Sequence, residues 1–279
     1  MEKPQKSLAQ ICVEFPSVKV PFGVLAEIVS KISLRYYSIS SSSLESPSAI
    51  TITAVVVRYP ISQISSRGST QEKIVIKQGL ATSWMERLHN ERSSELLRST
   101  RPSTPLYIRS SSFRLPSSPL VPVVMVGPGT GIAPFRAFLR ERFFLASLGR
   151  TVGPTYLYFG CRNEKNDNLY SLEFESLIAE AQKRNLNIDI QVITAFSRDG
   201  PSKVYVQDRL KENGRNVWDL IGIQNGIFYV CGDAKRMAQD VNSTLEQIGI
   251  EHGGLDAERS KDWVKSLKDS SRYLEDVWA

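Results

Sequence analysis

Residues 123–142 read VVMVGPGTGIAPFRAFLRER: four apolar residues, a turn carrying three glycines, then a helical run opened by Pro134. That order makes a strand hand its backbone directly to a helix N-terminus, where peptide N–H groups lack intrahelical partners and carry partial positive charge. Gly127, Gly129 and Gly131 permit the close approach and positive φ such a turn needs, and Thr130 adds a hydroxyl. The segment is therefore either a cradle for a diphosphate or a plain glycine-rich loop. Its GxGxG spacing differs from the common GxGxxG dinucleotide fingerprint. The next strand runs into Gly160-Cys161-Arg162-Asn163, with no acid to hold the ribose 2′-hydroxyl of NAD. Basic and hydroxyl groups there suit a 2′-phosphate, so the pattern leans to NADP.

At 279 residues, 41% apolar and 23% charged, the chain is long enough for two domains. Its 35 basic and 29 acidic residues leave a net charge of +6. Because the cations are scattered, they favour an anionic cofactor over nucleic acid or a membrane surface. Cys12, Cys161 and Cys231 are odd in number and far apart, which fits neither a disulfide framework nor a zinc site, and no metal is expected. They suit a reducing compartment. Neither a membrane span nor a leader is read from the sequence. His89 and His252 are isolated and read as surface or internally satisfied side chains.

From Val123 onward, short β-branched or aromatic runs alternate with longer amphipathic ones, the pattern of a parallel sheet covered by helices on both faces. Strands are predicted at 123–126, 155–159, 188–194 and 227–230, with a last one at 272–277. Helices are predicted at 134–148, 169–184, 204–212, 234–248 and 258–268. The earlier part reads as separated antiparallel strands at 35–40, 50–57, 74–77 and 106–110 with a helix at 82–88. Serine- and proline-rich loops occupy 38–48, 62–70 and 93–119. Four strands are few for a closed barrel.

Several segments carry chemistry. Arg35-Tyr36-Tyr37-Ser38-Ile39-Ser40 offers a phosphate-gripping cation, aromatics that stack on a flat ring and a hydroxyl, or else is an ordinary strand with two half-buried tyrosines. Gly79-Leu80-Ala81-Thr82 opens a second helix. Cys231 ends the apolar strand IFYVC, where ligands of open parallel sheets bind, although a small buried filler reads the same way. Ser197-Arg198 with Lys203, Tyr205 and Gln207 can clasp a 2′-phosphate or form a solvated loop. Trp278 lies one residue from the end of the sequence, an unusual place for an aromatic unless it is tied down.

Taken in order, RYYSIS, TAVVV, GLAT, GPGTGIAPFRAFLRER, YFGCRN, the Ser197-Arg198 pair, KVYVQD, YVCGDAKRMAQDV and RYLEDVW resemble the NADPH-cytochrome P-450 reductase family. More broadly, they resemble the ferredoxin-NADP reductase module of diflavin reductases, from about Phe15 to Trp278. The resemblance implies a remnant of a helical connecting region (1–34), a partial antiparallel FAD-binding barrel (35–121) and a parallel-sheet NADP-binding α/β domain (122–279). It implies FAD contacts from Arg35, Tyr36, Tyr37 and Ser38, a flavin lining from Thr53, Ala54 and Val55, and a diphosphate seat at Gly79, Leu80, Ala81 and Thr82. It implies NADP contacts from Thr130, from Ser197 and Arg198, from Lys203, Val204, Tyr205, Val206 and Gln207, and from Asp240. Ser38, Cys231 and Asp276 would surround the path of a hydride passing from NADPH to FAD, with Trp278 covering the flavin until nicotinamide displaces it.

The family's full-length members also carry a membrane anchor, an FMN-binding domain and the first barrel strands, and none of these precedes Phe15 here. The chain thus reads as a truncated module without an anchor, soluble by itself, whose family sits on the cytosolic face of the endoplasmic reticulum. Its acceptor would be an FMN domain or a cytochrome P-450. Two alternatives stay open: a non-catalytic homologue that binds NADP(H) without stable FAD, and a reductase module of sulfite-reductase or nitric-oxide-synthase type.

Overall fold

The computed structural model describes residues 8–64, 72–93, 104–233 and 237–278. The chain divides into two compact units, one made of residues 1–36 and 54–107 and the other of 37–53 and 108–279.

The first unit begins with two short helices, α1 (Leu8–Glu14) and α2 (Phe22–Ile28). An antiparallel ladder then pairs β1 (Arg58–Ile64) with β2 (Glu72–Gln78), in a register running from Arg58 opposite Gln78 to Ile64 opposite Glu72. Helix α3 (Leu80–Ser93) follows at once. The junction is fixed by two bonds to one residue: the Gly79 N–H donates to the Val57 carbonyl at 2.8 Å, and the Val57 N–H donates to the Thr82 hydroxyl at 3.1 Å. A Cβ on Gly79 would stand 2.9 Å from that of Val57, so only glycine fits where the chain turns from ladder to helix.

The second unit is built on five parallel strands in the order β5-β4-β3-β6-β7. They are β3 (Val123–Val126), β4 (Thr155–Cys161), β5 (Ile190–Phe196), β6 (Ile227–Asp233) and β7 (Tyr273–Trp278). The connecting helices are α4 (Ala133–Ser147), α5 (Glu164–Asp167), α6 (Ser171–Lys183), α7 (Val206–Glu212), α8 (Gly214–Trp218), α9 (Met237–Glu251) and α10 (Ala257–Asp269). Successive strand residues point to opposite faces, and here both faces are buried, which is why the central strands are apolar without interruption. Val123, Met125, Leu157, Tyr229 and Cys231 pack with Phe135 and Leu139 of α4 and Phe174 of α6. Val124, Val126, Tyr158, Phe228 and Val230 pack on the other side with Leu210, Val217, Val241, Leu245 and Val264 from α7 to α10.

One buried cation belongs to this core. Arg142 of α4 is 1% exposed, and its guanidinium donates to the Thr155 hydroxyl at 2.7 Å and to the carbonyls of Gly153 at 2.8 Å and of Pro119 and Val121 at 3.1 Å each. Burial brings its pKa down to about 10, still charged at neutral pH, so those four acceptors compensate a charge held out of water. The effect is to fasten the segment entering β3 and the turn entering β4 to the same helix.

The antiparallel part departs from expectation. Residues 35–40 and 50–57 form no strands; they meet at a single bridge, Ile39 opposite Ile52, extended by the Ser40 N–H donating to Thr51 at 2.8 Å. Residues 106–110 are likewise outside any strand. Conversely, a strand not expected from the sequence runs through 58–64, its last residues within the predicted serine-rich loop at 62–70, because pairing with β2 rather than intrinsic preference decides it. The predicted helix start at Ala234 and parts of the serine-rich loops at 62–70 and 93–119 lie outside the described residues.

Candidate functional site

In the five-stranded sheet the chain runs from β3 outward to β5, then returns to lay β6 on the other side of β3. Such a reversal opens a crevice beyond the carboxyl ends of the two strands where the order switches. The glycine turn leaves β3 at that point. Gly127 donates to Tyr158 at 3.0 Å, a 3-10 turn spans Gly129–Ile132, and α4 begins at Ala133 with Pro134 in its first turn. Gly129 has φ +57° with open space where a side chain would stand. Gly131 is pressed on the neighbouring strand, since a Cβ there would lie 2.1 Å from the Cys231 carbonyl oxygen. The turn thus brings backbone to a helix start with open space beside Gly129, an arrangement that fits an anionic diphosphate. Thr130 sits half-buried within it.

The carboxyl ends of β6 and β7 lie beside it. Their register sets Cys231 opposite Asp276, Gly232 opposite Val277 and Asp233 opposite Trp278. The Cys231 thiol lies 3.9 Å from Asp276 Oδ2, and the Ser38 hydroxyl donates to that same oxygen at 2.6 Å. Ser38 and Cys231, from separate motifs, therefore converge on the carboxylate of a third, Asp276. Burial, and next the Asp276 charge, push the Cys231 thiol well above its ordinary range, so it is a neutral thiol and not a thiolate nucleophile at physiological pH. The resulting cluster holds one carboxylate, one hydroxyl and one polarisable neutral group, suited to steadying positive charge beside it. Trp278 ends β7 and is 44% exposed.

A second group gathers at the ends of β4 and β5. The Ser197 N–H donates to Cys161 at 3.0 Å and the Arg198 N–H to Arg162 at 2.8 Å, which continues the strand pairing into the loops and brings Arg198 beside Arg162. Asp167 receives the Arg162 guanidinium at 2.9 and 3.1 Å. That bond, with the Arg198 charge also contributing, holds the Asp167 carboxyl below its usual range. Arg198, Lys203 and Tyr205 are exposed, Ser197, Val204 and Gln207 half-buried, and Val206 is buried in the core. Val206 therefore packs α7 against the sheet. Gln207 donates to Asp240 at 3.5 Å, linking α7 to α9.

The remaining candidates divide between the two units. In the first, Arg35 is exposed and donates to the Ser33 carbonyl, Tyr36 meets Tyr107 edge-on with a 2.9 Å bond between hydroxyls, Ala54 and Val55 are exposed, and Gly79–Thr82 lead into α3. In the second, Tyr37 and Ser38 are half-buried and Thr53 shares a 2.7 Å hydrogen bond with the Tyr170 hydroxyl. Sequence reasoning passed over Arg136, Arg140, Tyr170 and Glu173, which tie the 37–53 segment to α4 and α6. Their one sequence signal was the four-residue spacing of Arg136 and Arg140, which puts both on one face of a helix.

Fold and turn are those of a nucleotide-binding α/β domain, and comparison with known proteins gives its class and its companion. Residues 125–243 match the family model described as Oxidoreductase NAD-binding domain, and residues 1–84 match FAD binding domain. Both expected cofactors, FAD and a nicotinamide dinucleotide, are those these two domains are named for. More particularly, the chain is similar over nearly all of its length to NADPH–cytochrome P450 reductases. It is 44% identical to that of Aspergillus niger over 95% of this chain, 42% identical to that of Aspergillus oryzae over 95%, and 39% identical to that of Bos taurus over 99%. In each case it spans 38% of the relative's length. Among the described residues no helix is long and apolar enough to cross a membrane.

Proposed function

We propose that this chain is a flavoprotein reductase module that takes a hydride from NADPH onto FAD. The observation that carries the reading is the meeting of Ser38, Cys231 and Asp276 at the switch point, next to the glycine turn. When bound, the nicotinamide supplies the hydride and the flavin accepts it. The protein's part is to align the two rings and stabilise the change of charge. Asp276 carries the negative charge for a nicotinamide becoming positive, Ser38 orients that carboxylate, and Cys231 packs the neutral wall beside them. The turn from Gly127 to Gly131 with Thr130 seats the NADP diphosphate. Ser197, Arg198, Lys203, Val204, Tyr205, Val206, Gln207 and Asp240 form the 2′-phosphate end, Val206 by packing alone.

By motif, FAD is assigned to Arg35, Tyr36, Tyr37, Ser38, Thr53, Ala54, Val55 and Gly79–Thr82, within an antiparallel barrel module at 35–121 that precedes an NADP module at 122–279 in sequence. Trp278, half-exposed at the end of β7, would be the ring that covers the flavin when nicotinamide is absent. The onward acceptor is an FMN domain or a cytochrome P450, at the cytosolic face of the endoplasmic reticulum, as family likeness suggests.

Purified protein that is yellow, or becomes so with added FAD at one flavin per chain, supports this reading. Protein that stays colourless after reconstitution contradicts it. A second reading, NADP(H) binding without stable FAD, draws support from the two-stranded ladder, on which Ile74 and Ile76 are exposed. Retention on a 2′,5′-ADP resin by protein that takes up no flavin would select it.

A further inference from the structure

We infer that Arg136 and Tyr170 are positioning residues: they hold the Tyr37–Thr53 segment in the place that brings the Ser38 hydroxyl to Asp276. The inference rests on the hydride-transfer role proposed above for Ser38 and Asp276.

Arg136 grips the segment on both of its arms. Its NH1 donates to the Ser40 carbonyl at 2.8 Å and to the Thr51 hydroxyl at 3.4 Å, while its Nε donates to Glu173 at 2.9 Å. Ser40 is fully buried and shares a 2.9 Å bond with the same Thr51 hydroxyl. One guanidinium thereby fixes the single bridge, Ile39 to Ile52, that joins the arms, and Ser38 is the residue just before it. With no regular ladder, the backbone joins the arms here by this bridge and the Ser40 N–H bond to Thr51, and the Arg136 guanidinium reinforces both.

Tyr170 supplies the second hold. Its ring lies under the Arg136 guanidinium, 4.9 Å from centre to cation, and its hydroxyl bonds Thr53 at 2.7 Å. Its backbone is left-handed, with φ 64°, at the entrance to α6. A bulky residue there stores strain that glycine or asparagine would avoid. The ring and hydroxyl compensate it by placing two contacts on the segment. Arg140, bonded to Glu173 at 2.8 Å and paired with Glu45, completes a chain of anchors along residues 40, 45 and 53. A lysine cannot replace Arg136 fully, because the work needs a planar fork pointing at three acceptors.

The test uses the full chain with Arg136→Gln, Arg136→Lys and Tyr170→Phe. Hydrogen exchange of peptides covering 38–53 is read first, since it needs no flavin. Arg136→Gln should speed exchange there by on the order of tenfold while peptides covering 123–126 keep their protection. In FAD-loaded protein, NADPH-driven ferricyanide reduction should then lose on the order of tenfold in kcat with the NADPH KM unchanged, and Arg136→Lys should recover part of it. Unchanged exchange at 38–53 in both Arg136→Gln and Tyr170→Phe overturns the inference, as does a KM effect with kcat intact. Should Arg136→Gln fail to fold, Tyr170→Phe decides by the same exchange. Wild-type protein that NADPH cannot reduce would refute the functional reading alone, and the exchange result would still decide whether Arg136 and Tyr170 hold the segment.

Discussion

Ser38 and Asp276, 238 positions apart in sequence, share a 2.6 Å hydrogen bond in which the hydroxyl donates to the carboxylate. If the two act as a unit on one step, their removal is not additive. Ser38→Ala and Asp276→Asn should each slow anaerobic flavin reduction by about 10- to 100-fold, and the double variant should be little slower than the worse single one. Stopped-flow absorbance checks this, and independent, multiplying losses would separate the two roles.

Gly131 abuts the Cys231 carbonyl, and a methyl group has no room there. Gly131→Ala should destabilise the five-stranded unit by about 2–4 kcal/mol, whereas Gly129→Ala meets no atom and should cost about 1 kcal/mol through its positive φ alone. Urea unfolding of the two variants gives the comparison. Equal losses would mean that the close approach is absent.

Burial keeps several acidic protons on the folded chain at high pH. The Cys231 thiol, ordinarily near 9.0, and the Tyr158, Tyr229 and Tyr273 hydroxyls, ordinarily near 10.0, are all raised, with loss of solvation the leading cause. Above about pH 9 the unfolded chain therefore binds fewer protons than the folded one, so stability falls as pH rises. The urea midpoint should be flat up to about pH 8.5 and lower at about pH 10.5. In the same range Cys231 should resist iodoacetamide until denaturant is added. Ready labelling of Cys231 in folded protein would contradict its burial.

Arg198 tests the dinucleotide preference, since only NADPH offers a 2′-phosphate. Arg198→Ala should weaken NADPH by on the order of 10- to 100-fold and leave NADH nearly unchanged. Trp278→Ala should instead relax discrimination between the two by removing the ring that competes with nicotinamide. Steady-state kinetics with both donors distinguishes these outcomes, and equal losses for NADPH and NADH would mean that Arg198 does not read the phosphate.

The parallel sheet was legible because both of its faces are buried, which writes strands such as VVMV and IFYV as unbroken apolar runs. The strand 58–64 was not legible, since its pairing with 72–78 is a tertiary decision that Pro60 and the nearby serines conceal. The 35–40 and 50–57 segments misled in the other direction. They have strand-like residues, yet side-chain bonds from Arg136 and the Ser40–Thr51 pair hold them where a ladder was expected. Motif order gathered Ser38, Cys231 and Asp276, but the Arg136 hold on Ser40 spans 96 positions and leaves no local pattern to read.

Hydride transfer at the carboxyl ends of β6 and β7 is the proposed chemistry of this chain. Anaerobic mixing of FAD-loaded protein with NADPH and with its 4-deuterated form measures this step directly. The predicted result is bleaching of the flavin band in both cases, slower with deuterium and much slower in Asp276→Asn; a flavin band that NADPH leaves unchanged would contradict it.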